Sequence, residues 1–118
     1  MTGLQEQTET LKEHLNQLKK RYEDNHPPED RRDKDFFMYV RQQTEAIYKL
    51  VETWEGTSLK AIKDRTLNIH PQQITSTREN MELLLMHSFY IDVKQRRYME
   101  LYKSIQYIYD QMLRDMNE

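Results

Sequence analysis

Apolar residues recur along this chain at alternating spacings of three and four. Leu4, Thr8, Leu11, Leu15, Leu18 and Tyr22 form the first stripe, with Glu, Gln and Lys between them. That spacing puts one side of a helix against a core and predicts a first helix over about residues 4–23. "DNHPPEDRRDKD" follows, where a Pro-Pro pair in dense charge has neither apolar residues to bury nor the amide donors to continue a helix. Residues 24–32 are therefore expected to be a linker and the most mobile segment.

A second helix is expected over about 34–66, opened by Asp33 or Asp35, whose carboxylates suit the free amides and positive end of a helix. Its inward positions are Phe36, Phe37, Val40, Ile47, Leu50, Val51, Trp54, Ala61 and Ile62. Unbroken, it would be about 50 Å long, with a weak point where Gly56, Thr57 and Ser58 lower helix propensity. A third helix over about 71–92 carries Ile74, Thr77, Met81, Leu84, Leu85, Ser88 and Ile91 inward. A fourth over about 95–116 carries Tyr98, Leu101, Tyr102, Ile105, Ile108, Tyr109, Met112 and Met116. "DVKQRR" leaves only a tight turn between these two, and short connections make neighbouring helices antiparallel. The pattern predicts an all-α, single-domain, up-down-up-down four-helix bundle over residues 1–118.

Composition agrees and removes whole classes of function. The 118 residues include only two glycines and three prolines, too few breakers for many short strands. Eighteen basic against twenty acidic residues leave a net charge of −2, so no broad positive field invites nucleic acid. With no cysteine, disulfides, thiolate metal sites and cysteine nucleophiles are excluded. "MTGLQEQTETLKEHL" is too polar for a signal peptide, and no apolar run approaches the ~18 residues that cross a bilayer. A cytoplasmic protein without membrane contact is expected.

The chemistries that such bundles host lack their residues here. A di-iron or di-manganese centre needs Glu-x-x-His pairs on facing helices, but Leu11 and Leu84 stand three residues before His14 and His87. Neither histidine is followed by the positive charge and small residue that a phosphorelay site uses. The seven methionines fall mostly on core stripes, where methionine packs rather than ligates. No metal or cofactor is therefore expected. The eight tyrosines also lie largely on inner stripes, which favours packed rings over a base-stacking platform. "KQRR", residues 94–97, is the one compact basic cluster and is too small to argue for DNA or RNA. Lys63, Asn80, Ser88 and Ser104 lie on or beside inward stripes and are candidates for a buried polar network joining three helices.

"RTLNIHP", residues 65–71, spaces Arg65 and His70 as in the Arg-x4-6-His motif of the HEPN group of small helical ribonucleases, in which the pair acts on RNA. Arg21 and His26 have the same spacing, and a chain with nine arginines and four histidines is expected to show it by chance. Helix ends explain both residues: a cation in a last turn suits the carbonyl end, and His70 precedes a proline suited to a first helical position.

The residues "DKDFF" (33–37), Trp54, "IKDR" (62–65), His70 with "QI" (73–74), "ENMELLLMHSFY" (79–90) and "RRYMELYKSIQYIYD" (96–110) together carry a resemblance. Over roughly residues 33–118 the chain resembles the YppE-like family of uncharacterised cytosolic proteins of Gram-positive bacteria. The resemblance implies a four-helix bundle and a bacterial cytosol, and brings no activity or catalytic residues. Two functional readings follow. The first is a non-enzymatic protein-protein interaction module that binds another protein or itself, with Trp54, Tyr90, Lys94, Arg96 and Arg97 as contact candidates. The alternative is a HEPN-like ribonuclease that assembles Arg65 and His70 across a dimer.

Overall fold

The computed structural model describes residues 2–117, which form four helices: α1 (Thr2–Asp24), α2 (Lys34–Lys63), α3 (Pro71–Tyr90) and α4 (Gln95–Asn117). Each helix packs on its two neighbours in chain order, and α4 closes the ring against α1. The bundle is flattened so that α1 also touches α3, while the backbones of α2 and α4 stay apart on opposite sides. It measures 48 × 26 × 21 Å. Among the described residues, no helix is long and apolar enough to cross a membrane.

The helix boundaries follow from local chemistry. Asp33, rather than Asp35, caps α2, and its side chain accepts from the amides of Asp35 at 2.9 Å and Phe36 at 3.3 Å. α2 then runs without interruption through Gly56, so the expected weak point does not break it. It stops at Lys63, short of the expected Thr66. The amide of Arg65 returns to the Ile62 carbonyl and that of Thr66 to the Ala61 carbonyl, a Schellman closure with Arg65 at a φ of 61°. α3 is also shorter than the pattern predicts: Ile91 turns left-handed (φ 49°), and its amide caps the His87 carbonyl.

The stripes of α1, α3 and α4 lie inward as the spacing predicts, with Tyr22, Ile91 and Met116 half-buried. Four of the polar members of this core, Thr8, Thr44, Thr77 and Ser88, each donate to the carbonyl four residues earlier, at 2.7–2.8 Å. Satisfied on their own helices, they enter an apolar interior at little cost. Leu67 and Ile69, in the α2–α3 connection, are also buried and plug that end of the bundle. The linker between α1 and α2 is tied to the far end, where the Arg31 guanidinium meets the Asp92 carboxylate at 2.8 Å.

Candidate functional site

The largest departure from the predicted core is at the start of α2. Phe37 and Met38 are 50% and 56% exposed, whereas Phe36 packs edge-on against Tyr90 with ring centroids 5.2 Å apart. The cause is helical drift. Inward residues repeat at alternating intervals of four and three from Val40 to Ala61, and such a 3.5-residue seam turns by about 20° per heptad on a straight helix. By the first turn Phe36 has taken the core position and Phe37 has rotated outside.

Phe37 borders a groove of about 400 Å³ between α2 and α3. Val40, Tyr48 and Met86 give it an apolar floor, while Arg41, Glu45, Lys49 and Glu52 form its α2 rim. Leu83, one turn before Met86 on α3, is 46% exposed. A narrow apolar trough flanked by both signs of charge suits an amphipathic helix better than a small charged ligand.

A second groove, of about 460 Å³, lies between α3 and α4, its lining residues including Gln73, Ser76, Asn80, Lys103, Ser104 and Tyr107. Asn80 and Ser104 both line it, but the expected network of four does not form. Lys63 is exposed at the end of α2, and Ser88 lies about 12 Å further along α3 than Asn80. The buried polar chain that does form is at the α3–α4 corner. Ser88 Oγ and Tyr98 OH are 2.5 Å apart, Tyr98 stacks on Tyr22 with centroids 3.9 Å apart, and the Tyr22 hydroxyl donates to the Val93 carbonyl at 2.6 Å. Burial raises the pKa of Tyr98, and burial together with the Asp92 charge raises that of Tyr22, so both phenols stay protonated well above neutrality. Beside them Asp92 takes His87 Nδ1 at 2.7 Å as well as Arg31. The carboxylate orients the imidazole, but among the described residues no hydroxyl bonds to His87, so no nucleophile completes a triad. Tyr22, Ser88 and Tyr98 are each inward by their spacing; the joins between them depend on the left-handed turn at Ile91, which no glycine marks.

The interaction candidates need correction. Trp54 is fully buried, because it stands at the centre of the α2 seam, and Tyr90 is 9% exposed because Phe36 covers it. Neither presents its ring to a partner. Lys94, Arg96 and Arg97 are exposed, with Arg96 and Arg97 both reaching towards Glu100 at 3.7 and 3.6 Å. Arg65 and His70 are exposed at successive helix ends. His70 is the N-cap of α3, its Nδ1 accepting from the Gln72 amide at 3.0 Å, and neither residue lines the two grooves above. Among the described residues, no group of three or more carboxylates and histidines is placed to hold a metal ion.

The fold is that of a small four-helix bundle, and the chain belongs to a bacterial family known as a domain of unknown function, DUF1798, whose model matches residues 8–116. The match takes in most of α1 as well as the other three helices. The chain is similar to protein YppE of Bacillus subtilis, whose crystal structure superposes with a TM-score of 0.84 at 22% identity, covering 98% of this chain and 94% of that one. The solution structure of the same protein gives 0.79 at 20% identity, covering 99% and 94%. At these identities the likeness establishes the fold. No curated protein matches the chain.

Proposed function

We propose that this protein is a non-enzymatic interaction module of the bacterial cytosol, and that the α2–α3 groove is its contact surface. The observation that carries the reading is the pair Phe37 and Met38, both half-exposed or more beside an apolar trough floored by Val40, Tyr48 and Met86. Leaving large side chains in water forgoes about 25 cal/mol for each Å² of apolar surface, which a partner would recover. The groove fits a helix with anchors at i, i+3, i+4 and i+7. The exposed cations Lys94, Arg96 and Arg97 sit at the α3–α4 turn and would add charge-dependent attraction rather than affinity. Support for the cytosol comes from the cysteine-free composition and the lack of a membrane-spanning helix among the described residues.

The test is site-specific photocrosslinking in the source bacterium, with the probe at Phe37, at Leu83 and, as a control, at Lys103 in the α3–α4 groove. Discrete protein adducts from Phe37 and Leu83, lost when Met38→Asp sets a charge at an exposed position beside the trough, are expected. Absence of adducts at the groove, together with RNA cleavage by the purified protein that is lost in Arg65→Ala and His70→Ala, would replace this reading with the ribonuclease one.

A further inference from the structure

The outer face of α2 is self-complementary. Reading along it, Met38, Arg41, Glu45, Lys49, Glu52 and Gly56 follow at intervals of three or four, so all six share one side of the helix. All six are exposed. If a second copy of this helix is laid antiparallel across the first about a two-fold axis level with Ile47, Glu45 comes opposite Lys49, Met38 opposite Gly56, and Arg41 within one residue of the level of Glu52. Every pairing occurs twice, as a two-fold axis requires.

Solvation of a charged helix face does not account for this pattern in full. Glu45 and Lys49 approach at 3.5 Å within their own helix, as charges four apart often do. Arg41 and Glu52 do not: three turns apart on the same face, neither has an ion-pair partner among the described residues. Both lie on the rim of the α2–α3 groove. The steric match is independent of the charges. Met38 is the most exposed large hydrophobic residue on this face, and Gly56 is where a side chain added to the backbone would meet nothing within 4 Å. Gly56 carries no side chain at the level where the methionine of an antiparallel copy arrives, so the methionine could approach the backbone there. At the outer ends Lys34 beside Asp35 would meet Lys60 beside Asp64, each pair neutral, so like charges do not oppose the contact.

We infer that the occupant of this surface is a second copy of the same chain, paired through α2 in antiparallel orientation to form a two-fold dimer. The inference rests on the interaction reading above and names its partner. Between Met38 and Gly56 the two helices would run together for about 27 Å, with Phe37 and the groove flanking the seam.

Sedimentation of the intact protein from about 1 µM to about 1 mM tests it, with photocrosslinking from Met38 alongside. The expected result is a reversible species of twice 14.6 kDa and a Met38 adduct between two copies. Arg41→Glu would set two carboxylate pairs against each other and weaken the dimer by about tenfold or more, and Glu52→Arg alone would do the same. The double variant, Arg41→Glu with Glu52→Arg, would restore wild-type association, a recovery that a folding defect would not show. Gly56→Trp, on a face where it strains nothing within the monomer, would abolish the dimer and leave helicity unchanged. A monomer at every concentration, or a dimer indifferent to Arg41→Glu and Gly56→Trp, would overturn the pairing. A monomer that still gives groove adducts to a different protein in cells would remove the second copy and leave the interaction reading standing; no adducts of either kind would remove both.

Discussion

Trp54 and Tyr109 meet edge to face across the long diagonal of the bundle, their ring centroids 5.4 Å apart and their planes at 83°. The backbones of α2 and α4 do not touch, so this ring pair joins them directly. Trp54 Nε1 also donates to Thr8 Oγ1 at 3.1 Å, and Thr8 in turn donates to the Leu4 carbonyl at 2.8 Å. One indole thus ties three helices, with its polar atom satisfied inside an apolar core.

Trp54→Phe should therefore lose both a hydrogen bond and packed volume, lowering stability by about 2–3 kcal/mol in urea unfolding. A loss below about 0.5 kcal/mol would show that the neighbouring side chains close the gap.

Tyr109 predicts the opposite sign. Its hydroxyl is buried without a hydrogen-bond partner, so Tyr109→Phe should be neutral or stabilising by up to about 1 kcal/mol. The same urea titration separates it from Trp54→Phe.

Stability should also fall in alkaline solution. Burial raises the pKa of Tyr98 and Tyr109 above the ordinary value of 10.0. Below that value both folded and unfolded chains keep these phenols protonated, and stability does not depend on them. Above it the unfolded chain releases the protons first, so stability declines as pH rises until the folded groups ionise in turn. Unfolding midpoints measured between pH 8 and about 11 should be flat and then drop, with a shallower drop in Tyr109→Phe.

Ser88 must accept from Tyr98, because its own proton goes to the Leu84 carbonyl at 2.7 Å. Ser88→Ala leaves the Tyr98 hydroxyl buried and unpaired, at a cost of about 1–3 kcal/mol. A thermal midpoint equal to that of the wild type would mean the phenol finds another acceptor.

Two backbone changes should stabilise the protein. Arg65 holds the left-handed position of the α2 Schellman closure, where glycine carries no Cβ penalty, so Arg65→Gly should gain up to about 1 kcal/mol. Gly56 sits in open helix, so Gly56→Ala should gain about 0.5–1 kcal/mol in the unfolding of the monomer. Differential scanning calorimetry at low protein concentration would register both, and a destabilising Arg65→Gly would show that the arginine side chain contributes more than its backbone costs.

Four helices, their order and most of their inward residues were determined by the sequence alone. A seam such as Leu11, Leu15 and Leu18, or Leu101, Ile105 and Ile108, has only one period that buries it, and caps such as Asp33 and His70-Pro71 act within a single turn. Those are local properties, and local spacing carries them. Tertiary structure decided what spacing could not. Phe37, expected inward beside Phe36, was turned out to solvent by an angular drift that accumulates only over the whole of α2. Tyr90 disappeared under Phe36 from another helix. Ser88 joined Tyr98 rather than Asn80 because the corner geometry depends on the left-handed turn at Ile91, a conformation that a β-branched residue does not announce. Whether a side chain faces water or a partner is set by what other helices place opposite it, and that is a relation between distant segments rather than a property of any one.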